Sequence, residues 1–134
     1  MQLLGLRWAS EAGSTVRRRQ ELLDLQRRDG GWSQTPFLES DAYATGQALY
    51  ALHEVGVPAS NPVMQRGVAF LLRTQRQDGS WHVVNRAMKI QPYFESGFPY
   101  GHDQWISHAG TAWGVIGLTA GAAESVEMAN ATDF

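Results

Sequence analysis

The side chains able to do acid–base or ligand chemistry concentrate in one stretch of this chain. His102, Asp103 and His108 fall within seven residues, with Glu95 just upstream and His82 further back. Imidazole and carboxylate groups at such spacing are the donors that zinc and other divalent metals take. Glu95 and Asp103 also form the pair from which a general acid and a general base would be drawn. A loop histidine more commonly caps a helix or bonds a backbone carbonyl, so no metal and no cofactor is expected. Asp41 stands alone ahead of an apolar-periodic run, the position of a helix N-cap. The chain has no Cys, which excludes disulfides, thiolate zinc sites and cysteine nucleophiles. With no phosphate-binding glycine loop, nucleophile elbow or His-Glu-x-x-His either, no catalytic residue is assigned.

Those residues need a scaffold, and the composition supplies one. The 134 residues are 43% hydrophobic and 18% charged, enough apolar mass for a single packed domain over residues 1–134. A net charge of −2 advertises no nucleic-acid partner. Arg17, Arg18, Arg19, Arg27 and Arg28 interleave with Glu21, Asp24 and Asp29, the pattern of a solvated helix face. Gln104 to Ala123 holds no charged residue for twenty positions. Its Gln, His, Ser and Thr make it a buried helix rather than a transmembrane segment. Met1 to Leu6 is too short an apolar run for a secretory signal, and nothing in the composition sets the compartment.

The chain repeats itself. Leu25-Gln26-Arg27-Arg28-Asp29-Gly30-Gly31-Trp32 returns 49 residues later as Thr74-Gln75-Arg76-Gln77-Asp78-Gly79-Ser80-Trp81. Thr45-Gly46-Gln47-Ala48-Leu49-Tyr50-Ala51-Leu52 returns 66 residues later, as Thr111 to Leu118. The spacing predicts two helix-loop-helix units, 15–56 and 62–120, the second with an insertion at 82–106. Helices are expected at Thr15–Arg27 with Ser14 as cap, at Asp41–Val55, from Asn61-Pro62 to Asp78-Gly79, and at Ser107–Ala120. Trp81 to Val84 is a candidate strand, so the long aromatic loop is expected to hold a short β-ribbon. The tail 122–134 is expected to be disordered.

The repeated element resembles the QW motif of terpenoid cyclases and protein prenyltransferases, and the squalene-hopene cyclases more than the transferases. The fuller copy places Arg66, Gly67, Phe70, Gln75, Gly79 and Trp81 in the family's order; the first keeps Leu22, Gln26, Gly30 and Trp32. The Leu38 to Asp41 and Phe94 to Trp113 stretches resemble the final segment of longer bacterial chains. The resemblance implies an all-α fold, two helical hairpins of an incomplete α/α toroid, in which the QW residues are scaffold. Physically, a Gln amide at a helix end can satisfy orphan backbone groups, and a Trp beside it buries a large area.

In the cyclases, an Asp-x-Asp-Asp-Thr motif at the start of an inner helix protonates the polyene. The matching place reads Asp41-Ala42-Tyr43-Ala44-Thr45, with both central aspartates missing. A carboxyl acid enough for an alkene needs neighbouring carboxylates, and Asp41 has none in this motif. The transferases' zinc site needs a Cys that the chain lacks, and no Asp-Asp-x-x-Asp motif is present. The sequence therefore reads as a non-catalytic module for protein interaction or assembly, self-associating or packed on the rest of a longer parent. One alternative is a piece of a terpenoid cyclase whose acid lies elsewhere; another is a carrier of a lipid or isoprenoid. Asp41, Tyr43, Tyr50, Phe94, Tyr100, His102, Asp103, Trp105, His108 and Trp113 are the candidate ligand-binding residues. Tyr43, Gly46, Gln47, Tyr50, His108, Thr111 and Trp113 are expected to face a central cavity.

Overall fold

A computed structural model describes residues 12–88 and 93–131 of the chain, with the side chains of Ala12 and of residues 123–131 excepted. It is all-α. Helix α1 spans Ala12–Asp24, α2 Ala42–Glu54, α3 Pro62–Thr74 and α4 Gln104–Ala131, and a short 3-10 turn at Gly101–Asp103 leads into α4. The only strands among the described residues are β1, Trp32–Ser33, and β2, Ser40–Asp41. They pair antiparallel with Trp32 opposite Asp41 and Ser33 opposite Ser40.

The helix ends follow local chemistry. Asp41 caps α2, its Oδ1 accepting from Ala44 N at 2.8 Å, and the helix closes when Val57 N donates to Leu52 O and Gly56 N to His53 O. That is the paired bonding of a left-handed glycine terminus, with Gly56 at φ 87°. Asn61 caps α3, accepting from Val63 N at 2.9 Å, and Pro62 occupies the first turn.

Several expectations need correction. Ser14, expected to cap α1, lies inside the helix, which begins at Ala12, and α3 ends at Thr74 rather than at Asp78-Gly79. Helix α1 ends at Asp24, so Gln26 and Arg27 sit in the following turn rather than on the helix. Arg27 N bonds Gly31 O instead of continuing the ladder. Helix α4 begins at Gln104, ahead of the expected Ser107, and spans Gln104–Ala131; residues 132–134 lie outside the described residues. The β-ribbon belongs to the first unit, not to the long loop, in which no strand occurs among the described residues. Trp81 and Val83 satisfy their backbone groups on helix hydroxyls instead of on a partner strand.

The core lies where the hairpins meet. Leu49, Leu52, Met64 and Leu71 are fully enclosed together with Trp32, Trp81, Phe70 and Val83. Helices α2 and α4 run against each other through small residues. A Cβ built on Gly117 would stand 2.8 Å from Gly46 Cα, and one on Gly46 would overlap the Trp113 carbonyl. Only glycine permits backbones this close.

Candidate functional site

The repeated turns are built alike, atom for atom. After each outer helix the Gln side chain folds back: Gln26 Nε2 donates to Gly30 O and Gln75 Nε2 to Gly79 O, both at 2.9 Å. The Asp of each turn accepts from the backbone two residues on, Asp29 from Gly31 N and Asp78 from Ser80 N. Gly30 and Gly79 take φ of 90° and 85°, a region that L side chains avoid. Each Trp then donates its indole N–H to a carbonyl of the preceding helix, Trp32 to Leu22 O at 2.8 Å and Trp81 to Leu71 O at 2.9 Å. The Trp32 ring lies over Gly67 of α3, and the Trp81 ring over Gly114 of α4. Gln26 also reaches Val63 O at 2.8 Å, joining the first turn to the start of α3. Arg66 backs this junction with its main chain, its carbonyl lying against Gly30. The Arg73 guanidinium bonds Asp29 O and stands over the Phe70 ring.

One element of the repeat went unassigned in the sequence. Thr45, fully buried in α2, accepts from Trp32 N at 3.0 Å and donates to Trp32 O. Thr111 in α4 does the same for Trp81 N, at 3.0 Å, and Trp81 O. Ser107, one turn earlier, clasps Val83 N and Val83 O in the same way. A hydroxyl both donates and accepts, so one side chain satisfies both groups of an extended residue. The signal was present in the offset of 66 that aligns Thr45 with Thr111. Thr111, expected on a cavity wall, is half-buried and bonded to the Trp81 backbone, and Gly46, expected beside it, is buried against Trp113 and Gly117.

The loop before α4 disperses the candidate ligands. His82 Nε2 and Asp103 Oδ2 are 2.7 Å apart, and Asp103 Oδ1 accepts from Asn85 N at 2.9 Å. The Asn85 amide, and then the His82 ring, hold the Asp103 carboxyl below the usual carboxylate range. Tyr100 stacks on His82 at 4.7 Å and shares a hydrogen bond with Ser80 through its hydroxyl. Glu95 is engaged elsewhere. It accepts from Tyr93 OH at 2.6 Å, which lowers the Glu95 pKa and raises that of Tyr93. Buried Gln104 receives Ser96 N and donates to Tyr93 OH, tying the loop to the start of α4. His102 packs on Tyr93 and His108 on Phe98, while Trp105 donates to Phe94 O. Among the described residues no three His, Asp or Glu side chains converge as a metal centre requires. Glu95 and Asp103, weighed as paired carboxylates, serve separate hydrogen-bond networks.

Both Asp41 oxygens are engaged: Oδ1 caps α2 and Oδ2 accepts from Gln34 Nε2 at 2.7 Å. Tyr43 and Gln47 border a groove between α1, the β1 turn and α2, with a volume of about 900 Å³. Its wall includes Leu22, Leu25 and Trp32 with Ala44, Ala48 and Ala51, and Arg18, Glu21, Asp24 and Arg27 form its charged rim. Tyr50 and Trp113 meet at 6.0 Å between ring centroids across the α2–α4 junction. Among the described residues this groove forms a concave surface on the first hairpin, apart from the aromatic loop.

No helix among the described residues is long and apolar enough to cross a membrane. No solved structure matches the chain at a significant level. Two Gln-Gly-Trp turns bonding the same atoms, on hairpins stacked through their inner helices, agree with the match found over residues 2–134, and the chain belongs to the squalene-hopene cyclase C-terminal domain family.

Proposed function

We propose that this cyclase-like module is itself non-catalytic and acts in assembly, by packing its open helix faces on other protein. The observation that carries this is the state of Asp41. It stands where the resemblance places the cyclase acid, yet its two oxygens accept from the α2 N-terminus and from Gln34, and Tyr43 and Ala44 stand where that motif has further carboxylates. Among the described residues the stack presents the α1–α2 groove and a flank of α4 on which Trp105, Val115 and Ile116 are exposed. Stacked helical units bury their apolar faces only against neighbours. Incubation of the protein with squalene, followed by product analysis, is expected to return the substrate unchanged. Cyclised product formed by the wild type and lost in Asp41→Asn would overturn the non-catalytic reading and favour a cyclase fragment.

A carrier role is the second reading. It rests on the groove, whose volume of about 900 Å³ and apolar floor of Leu22, Leu25 and Trp32 lie in the range of small-molecule sites. A polyprene that co-purifies with the protein and is displaced by Ala48→Phe would favour it.

A further inference from the structure

The outward side of α4 differs from those of the other outward-facing helices. Helices α1 and α3 expose charged side chains, Arg17 and Glu21 on one, Arg66 and Arg73 on the other. Helix α4 has no Asp, Glu, Lys or Arg from Gln104 through Ala123, yet Trp105, His108, Ala112, Val115, Thr119 and Ala122 are all exposed. Its inward side is a separate surface, on which Gly110, Gly114 and Gly117 close on Val83, Trp81 and Gly46 in turn.

The exposed residues form a seam. Their spacing alternates three and four from Trp105 to Ala122, the repeat that keeps one stripe facing a partner helix along its length. The stripe also complements itself. In an antiparallel pair about a two-fold axis near Trp113 and Gly114, Trp105 lies over the partner's Ala122, His108 over the partner's Thr119, and Ala112 over the partner's Val115. All six positions then find an opposite, and the largest side chain meets one of the smallest, the condition for interdigitated layers. Slipping the pairing by one heptad sets Trp105 against the partner's Val115 and leaves Thr119 and Ala122 unpaired. Thr119 Oγ1 donates to Val115 O at 2.9 Å, so its lone pairs are left to accept an imidazole N–H from the partner's His108.

We propose that two copies of this chain pair through α4, antiparallel along this seam, as a two-fold dimer. The inference rests on the assembly reading above and names the partner. The face is uncharged on both sides, so its burial strands no charge. The seam is about 27 Å long. Phe94, 62% exposed and accepting from the Trp105 indole through its carbonyl, widens it at both ends of the pair. That approaches the roughly 1,000 Å² that a specific interface buries, the regime of a reversible, concentration-dependent dimer.

The test uses the whole chain in sedimentation equilibrium. Wild type is expected to pass from monomer to dimer with rising concentration. Ala112→Glu and Val115→Lys each bring like charges together near the axis, and each is expected to weaken pairing by about a hundredfold or more. Both positions are exposed, so helical circular dichroism should be unchanged. An equimolar mixture of the two faces Glu with Lys across one layer and is expected to recover a one-to-one dimer. The chain has no Cys, so introduced thiols report the register. His108→Cys mixed with Thr119→Cys is expected to form a linked heterodimer on oxidation with diamide. His108→Cys alone should not link, since its two copies stand about 16 Å apart along the axis. A monomeric wild type, a dimer indifferent to Ala112→Glu, or rapid linking of His108→Cys alone overturns the proposal. The assembly reading fails separately, on turnover of squalene.

Discussion

Gly46 and Gly117 meet backbone to backbone: a Cβ on Gly117 would lie 2.8 Å from Gly46 Cα and 3.3 Å from Gly46 O. This contact sets the separation of α2 and α4, and it decides what the two hairpins can be. Because the inner helices touch along their main chains, no ligand fits between them.

Gly46→Ala tests that contact. Alanine gains about 1 kcal/mol of helix propensity over glycine, but its methyl would overlap the Trp113 carbonyl, and forced separation of packed helices costs about 1–3 kcal/mol. A net loss of stability is expected in urea unfolding. Equal or higher stability would mean that the helices stand further apart than described.

The hydroxyl clasps give a second test. Thr45→Val keeps the shape of a fully buried side chain but leaves Trp32 N without its acceptor, at a cost of about 1–3 kcal/mol. Thr45→Ser, which retains the hydroxyl, is expected to lose clearly less. A melting curve for each variant separates the hydrogen bond from the lost methyl.

The two glutamines should differ in weight. Gln26 bonds Gly30 O and Val63 O, whereas Gln75 bonds Gly79 O. At about 1 kcal/mol per bond, Gln26→Ala is expected to lower the melting temperature more than Gln75→Ala. A reversed order would show that the link from the first turn to α3 contributes little.

Acid should loosen the loop before the rest. The Asp103 carboxyl is held below its ordinary value, chiefly by Asn85 N and then by His82. A depressed carboxylate contributes stability in full above its unfolded value of about 3.9. That contribution is lost as the pH falls through the lower folded value. Protection of the Asn85 amide against hydrogen exchange is expected to fall in that range in wild type. In Asp103→Asn it should be weaker at neutral pH and insensitive to this titration.

What could be read from residues alone was whatever depends on spacing along the chain. Gln26, Gly30 and Trp32 recur as Gln75, Gly79 and Trp81, and a turn of fixed length closes the same hydrogen bonds in each copy whatever surrounds it. Caps at Asp41 and Asn61 were legible for the same reason, since their partners lie two or three residues away. Contacts between distant residues were not. His82, His102 and His108 looked like one cluster in sequence, yet they face Asp103, Tyr93 and Phe98 in turn. Loop direction, which local pattern does not encode, decides that. Likewise Thr45 read as part of a motif and Thr111 as a cavity residue, whereas each clasps the extended backbone laid against its helix. The repeat determined that α2 and α4 would display the same face. Only the tertiary structure decided that the α4 copy of the face closes against α2, with Gly117 on Gly46 and Gly114 under Trp81, because burial depends on what packs alongside and not on the residues of the face itself.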